Sequence, residues 1–389
     1  MSSKGSNIMT NNHATTNSAS TSLTPPLHVA FIGLGLIGGS IAKGFRRQKL
    51  DMHIYAYARH REMLEIARAD GTVNEILDSV DDERLRLCDY IFLCTPVADA
   101  ARYMAQIKPL MKPGCILTDV GSTKTEIHRA AHAQGLVDCF IGGHPMAGSE
   151  KSGYAYATDH LVENAYYVLT PAPNVPTCQV EKLQQLVSTL GSIVLVLDHD
   201  KHDYVVAAIS HLPHIIASSL VNLVRDSDDE NHTMKTVAAG GFKDITRIAS
   251  ASPVMWQQIC LTNGPHISSV LQDYISSLNK TLASIQAQNE EPLYQLFDEA
   301  RDYRDSIPTA SMGPLKKDYS IYCDIVDESG AIATIATILA THQINIKNIG
   351  IIHNREFEEG VLKVAFYDQA SADAAAEWLT RFQYRLYKR

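Results

Sequence analysis

Residues 27–48 read LHVAFIGLGLIGGSIAKGFRRQ, and the reading of this stretch decides the fold. Its first six residues are almost all apolar, as in a parallel strand covered on both faces. Gly33, Gly35 and Gly38 follow in GxGxxG spacing, and apolar residues then recur at helical intervals. Strand, glycine turn and helix together are the context in which that spacing marks a dinucleotide site. The first glycine permits the tight turn, the second lets the backbone approach a pyrophosphate, and the third lets helix and strand pack closely. The helix then opens at Leu36 and Ile37 with unpaired N–H groups facing the phosphates. A glycine turn with no ligand is the plainer alternative, and the flanking strand and helix weigh against it.

Further along, "YAYARHR" places Ala58 twenty residues after Gly38, where an acidic residue would bind a ribose 2′-hydroxyl and select NAD. Arg59, His60 and Arg61 follow, so nothing there repels a 2′-phosphate, and NAD and NADP both stay open. Strand-like runs continue to alternate with helical ones to about residue 199, as in "MHIYAYA", "CDYIFLCTP", "CILTDVGS", "CFIGGHP", "AYYVLTP" and "SIVLVLD". That alternation predicts a doubly wound α/β domain of Rossmann type over 27–199. Residues 200–306 read as helices only, with Pro213 a kink or boundary. Two prolines and a glycine make 307–317 a linker. Residues 318–389 run β-α-β-β-α, with a last strand at "YRLYKR", which predicts a small ferredoxin-like α+β domain. The first 26 residues are polar and read as a disordered tail.

Composition narrows the function. A formal net charge of −9 argues against nucleic acid or an acidic membrane surface as a partner. No apolar run reaches the ~18 residues of a membrane span, and the N-terminus lacks the pattern of a secretory signal. The seven cysteines include no CxxC pair, so neither a disulfide framework nor a metal site is expected. Free thiols inside apolar runs fit a reducing cytoplasm.

Four stretches gather polar groups where strands end or helices begin. "IGGHPMAGSEKSGY" (141–154) is too rich in glycine to continue a strand and reads as a loop holding His144. "DVGSTK" offers Ser122 and Lys124, "SHLPH" offers His211 and His214, and "GGFKDITR" puts Lys243, Asp244 and Arg247 within two helical turns. Lys243 and Arg247, four apart, would share a helix face, where like charges repel unless an anion lies between them. Each group alone is as well explained by an ordinary surface role. Pro213 between the two histidines, with no third ligand near, argues against a metal. In a chain that binds a dinucleotide, the four together suggest a crevice with a base and an anion clamp.

"GLGLIGGS", "CTP", "DVGSTK", "GGHPMAGSEKSGY", "ENAYYVLTP", "SHLPH" and "GGFKDITRIASASPVMW" together resemble, in order over about 28–300, the prephenate dehydrogenases of tyrosine biosynthesis. The resemblance implies oxidative decarboxylation of prephenate, with hydride passing to NAD(P)+ as the ring becomes aromatic. It implies His144 as general base and Ser122 as its hydrogen-bonding neighbour or that of the substrate hydroxyl. Arg247 would bind a substrate carboxylate, His211 the substrate side chain, and Lys243 and Trp256 would line the pocket. Thr95 and Pro96 would lie beside the cofactor. The helical domain would form a homodimer. Residues 318–389 resemble an ACT domain, which implies a regulatory module with tyrosine as effector. The rival readings are an arogenate dehydrogenase, a β-hydroxyacid dehydrogenase and a non-catalytic amino-acid sensor.

Overall fold

The computed structural model describes residues 26–149, 151–307, 319–325, 328–352 and 360–387. The polar tail up to residue 25 and all but the first residue of the expected linker lie outside the described residues. The chain falls into two compact units, one of residues up to 162 with 168–190 and 195–270, the other of 163–167, 191–194 and 271–389.

The larger sheet consists of β1 (Leu27–Ile32), β2 (Met52–Tyr57), β3 (Glu75–Ile76), β4 (Tyr90–Leu93), β5 (Ile116–Asp119), β6 (Phe140–Pro145), β7 (Tyr166–Pro171) and β8 (Ile193–Val196). Their order is β3-β2-β1-β4-β5-β6-β7-β8, and the pairs from β3 through β6 are parallel. The order 3-2-1-4-5-6 is that of a dinucleotide-binding fold, whose ligand crevice opens where the order reverses, between β1 and β4. Helices α1 (Leu36–Arg47), α2 (Arg61–Ala69), α3 (Val97–Ile107), α4 (Thr125–Ala133) and α5 (Thr177–Ser188) alternate with the strands. Under α1, Phe31 of β1 stacks on Phe92 of β4 at 5.0 Å, and Phe45 meets Phe92 edge-on. The β1, β4 and β5 strand residues are buried at nearly every position, which is why they read as unbroken apolar runs.

Residues 199–306 are helical: α6 (His199–Val206), α7 (Leu212–Ser227), α8 (Thr233–Val237), α9 (Gly240–Thr246), α10 (Pro253–Thr262), α11 (Gly264–Gln286) and α12 (Glu290–Ser306). Pro213 does not break the chain's course. It sits in the first turn of α7, directly after a π-turn at Ala207–His211, so α6, the π-turn and α7 form one continuous helix. That helix, His199–Ser227, has a mean hydropathy of 1.5 over its most apolar window, of which 22% is buried, and it is long and apolar enough to cross a membrane by length and composition alone. This corrects the expectation that no segment qualifies. The scattered polar residues that interrupt the run in sequence are too few to lower the average.

In the second unit, β9 (Tyr319–Ile325), α13 (Ala331–Thr341), β10 (Asn348–Ile352), β11 (Gly360–Phe366), α14 (Gln369–Arg381) and β12 (Leu386–Tyr387) form an antiparallel sheet in the order β10-β11-β9-β12. This is the ferredoxin-like β-α-β-β-α-β topology. Cys323, Leu362 and Val364 from the sheet meet Ile335, Leu339, Ala375 and Leu379 from the helices in a core of their own.

Candidate active site

The turn after β1 is shaped by contacts that leave no room for side chains. Gly33 has φ +95°, and a Cβ there would lie 2.6 Å from the Cys94 carbonyl oxygen. A Cβ on Gly38 would lie 2.8 Å from the Gly33 carbonyl and 2.9 Å from the Cys94 sulfur. Gly35 faces open space, so the side on which a pyrophosphate would lie is clear. Gly35 also caps α1 without a side-chain hydrogen bond, and the first turn, Leu36 and Ile37 included, carries no acidic residue. The helix therefore presents free N–H groups and its positive dipole end to that space. A cavity of about 140 Å³ beside the turn is lined by Gly33, Gly35, Ala58, Arg59, His60, Thr95 and Pro96 among others, none of them acidic. The Thr95 hydroxyl is buried with no hydrogen-bond partner. An orphaned hydroxyl beside a glycine cradle fits a dinucleotide.

His144 is the penultimate residue of strand β6 rather than part of a loop. Gly142 is required by the packing around the strand: a Cβ there would meet the Thr170 hydroxyl at 2.3 Å and Lys124 Cδ at 3.1 Å. The loop beyond is pinned by Tyr154, whose hydroxyl donates to Asp70 at 2.8 Å and lies 2.9 Å from the Thr72 hydroxyl.

Lys124 plays a different part from the one its sequence position suggests. It is fully buried, not lining a crevice. Its ammonium donates to Asp119 Oδ2 at 2.5 Å and to the Gly143 carbonyl at 2.7 Å. Asp119 Oδ1 in turn accepts from the Gly143 N–H at 3.0 Å. The pair thus holds both polar groups of the residue before His144.

Two residues not legible in the sequence complete the cluster. His144 Nδ1 lies 2.8 Å from His202 Nε2, and His202 Nδ1 lies 2.8 Å from Asp203 Oδ1. Asp203 also accepts from the backbone N–H groups of Lys124 and Thr125, each at 2.7 Å, and so caps α4 from a neighbouring helix. Those hydrogen bonds outweigh the burial that would otherwise raise the Asp203 pKa and hold it at about 2. Burial pushes the His144 pKa well below the ordinary 6.5, and the neighbouring His202 and Lys124 push the same way. His144 is thus a neutral imidazole at physiological pH. Its Nδ1 partner is His202, not Ser122, which lies in the turn between β5 and α4.

His211 ends the π-turn, is buried, and is held by burial at a pKa of about 4. Asn263 Nδ2 lies 2.8 Å from the Asp203 carbonyl oxygen and 3.1 Å from His211 Nδ1. A carbonyl can only accept, so the Asn263 atom is a donor and His211 Nδ1 is bare. The neutral ring then carries its hydrogen on Nε2 and can donate there. His214 stacks on Trp256 at 3.7 Å, and His211 meets the same ring edge-on at 5.9 Å. The Trp256 indole N–H is buried without a partner. Lys243 lies on α9, and Arg247 begins a 3₁₀ turn, Arg247–Ser250, that follows it. The α-helix therefore ends before the two can share a regular face. Both segments pack against α7.

Comparison with known proteins gives concordant results. The family model described as prephenate dehydrogenase, nucleotide-binding domain matches residues 41–196, and the one described as prephenate dehydrogenase, dimerization domain matches 198–299. A prephenate dehydrogenase of Bacillus subtilis is 36% identical over 345 residues, covering 87% of this chain and 91% of that protein. Among solved structures, prephenate dehydrogenase from A. aeolicus in complex with hydroxyphenyl propionate and NAD+ superposes with a TM-score of 0.68 at 30% identity, covering 73% of this chain and 99% of the other. Synechocystis arogenate dehydrogenase gives 0.67 at 30% identity, covering 72% and 100%.

Proposed function

The chain belongs to the prephenate dehydrogenase family, and from that premise we propose that it converts prephenate to 4-hydroxyphenylpyruvate and CO2 with NAD(P)+ as oxidant. The nicotinamide, when bound, takes the hydride from the hydroxyl-bearing ring carbon. What the protein must supply is position and a place for the hydroxyl proton. The observation that carries the reading is His144, a neutral imidazole with one nitrogen tied to His202 and the other left to accept that proton. Ser122, in the turn after β5, is assigned to the substrate hydroxyl, because Nδ1 of His144 is already taken.

Arg247 is assigned to a substrate carboxylate, for which its planar fork is suited, with Lys243 and Trp256 at the pocket wall. Arg247→Ala is expected to raise KM by about 10–150-fold with a smaller effect on kcat, as loss of a charge-assisted contact costs roughly 1.5–3 kcal/mol. Steady-state kinetics with varied prephenate checks this, and an unchanged KM removes Arg247 from the site.

His211 supports prephenate over arogenate. Its Nε2–H donor suits the oxygens of a pyruvyl group, which only accept, whereas an ammonium needs an acceptor. Arg59 beside Ala58 supports acceptance of NADP as well as NAD. The exposed apolar side chains Ile209, Leu223, Val254 and Leu261, with the matched dimerization domain, support a homodimer. The second unit's ferredoxin-like core supports an ACT-like module with tyrosine as effector. One experiment tests these readings: initial rates with prephenate and arogenate, each with NAD+ and NADP+, with and without tyrosine. Prephenate turnover with either cofactor, reduced by tyrosine, is expected; turnover of arogenate alone refutes the substrate assignment.

A further inference from the structure

We propose that His202 and Asp203 are positioning residues that fix the tautomer of His144, so that its Nε2 is bare and ready to take the substrate's proton. The inference rests on the reading of His144 as the base and extends it.

The hydrogen-bond chain permits one arrangement that works. Asp203 Oδ1 can only accept, so the hydrogen of His202 sits on Nδ1, 2.8 Å away. With His202 neutral, its Nε2 carries a lone pair. That lone pair faces His144 Nδ1 at 2.8 Å, so the hydrogen between them belongs to His144 Nδ1. A neutral His144 with Nδ1–H has its lone pair on Nε2. If His202 were instead an imidazolium, its Nε2–H would point at His144 Nδ1. The His144 hydrogen would then move to Nε2, and the site would hold no base.

The reaction balances through this chain. The substrate O–H bond breaks and its proton goes to His144 Nε2. The ring carbon's C–H pair would leave as hydride for the cofactor; as CO2 departs, the electron pair of the ring–carboxylate bond passes through the ring to the oxygen, which takes the proton back from His144 as the phenol forms. While His144 holds the proton, its positive charge is shared through Nδ1–H···Nε2 with His202, whose far side rests on the Asp203 carboxylate. Asp203 is itself fixed, because the N–H groups of Lys124 and Thr125 hold both of its oxygens. Asn263 holds its backbone carbonyl as well.

His202→Leu removes the acceptor for Nδ1–H. It is expected to lower kcat by roughly 10²–10³-fold, with cofactor affinity by fluorescence titration and KM for prephenate within about threefold of the parent. His202→Gln, whose side-chain oxygen can accept the same hydrogen, should recover at least tenfold of that loss. In the unsubstituted enzyme, ¹⁵N spectra of labelled histidine should show His144 protonated on Nδ1, its signals assigned by their disappearance in His144→Ala. The NMR measurement does not depend on a buried variant folding. Protonation of His144 on Nε2, or a His202→Leu enzyme with parental kcat, overturns the proposal. If His144→Ala abolishes turnover while His202→Leu does not, only the positioning role falls. If neither variant slows turnover, the reading of His144 as base falls first.

Discussion

His144→Ala is expected to lower kcat by roughly 10²–10⁴-fold while leaving NAD(P)+ affinity intact. No other group in the cluster is placed to replace it. Lys124 is buried and committed to Asp119 and Gly143, His202 sits behind His144, and Asp203 is saturated by hydrogen bonds. The cofactor turn lies after β1, several strands away, so its glycine contacts are untouched. As the proposed base, the same imidazole is expected to set the acid limb of the pH profile. Its working form is the neutral one, and burial holds its pKa well below 6.5. Activity should therefore persist below the pH at which an ordinary histidine protonates, and should fall only as the pH drops through the lowered value. Stopped-flow rates and a pH series of kcat/KM measure both points. Parental kcat in the alanine variant, or an acid limb at or above pH 6.5, argues against the assignment.

The second large effect is on stability. Lys124→Met should cost about 3–5 kcal/mol, measured by urea unfolding, because it leaves the Asp119 carboxylate charged inside the protein without its cation. The two side chains are 0% and 2% exposed, so water cannot make good the loss. Turnover should fall too, since the Gly143 carbonyl loses its donor and the strand end that carries His144 is freed on one side. Adding Asp119→Asn should recover part of the stability, because a neutral amide oxygen can still accept from Gly143 N–H. A loss below about 1 kcal/mol would place the pair with surface ion pairs, which contribute little.

Much of this was legible in the sequence, for physical reasons. The Rossmann sheet announces itself because strands covered on both faces must be apolar throughout, and because Gly33 and Gly38 sit where no Cβ fits. His144 stands out as a lone imidazole among small residues. His202 and Asp203 do not, because they lie in "DHDKHDY", an acidic and basic run that reads as the solvated start of a helix. Their relation to His144 spans 58 residues, and no local spacing encodes it. Lys124 misled for the opposite reason. It occupies the strand end where ligands bind, yet its charge is spent inward on Asp119. The small C-terminal domain was readable because β-α-β-β-α order constrains topology strongly, even where its last strand shrinks to Leu386–Tyr387.

The π-turn at Ala207–His211 has a bearing on how this gene can change. His202 and His211 are nine positions apart, which in an unbroken α-helix puts them on opposite sides, about 180° apart. The widened turn absorbs one residue, which brings the angle to about 80° and lets both neighbour His144. Deleting a single codon between them would return the segment to ordinary winding and rotate α7, with everything it carries, relative to the His144 ring. Substitutions on the exposed face of this helix leave that winding intact, whereas a change in its length does not.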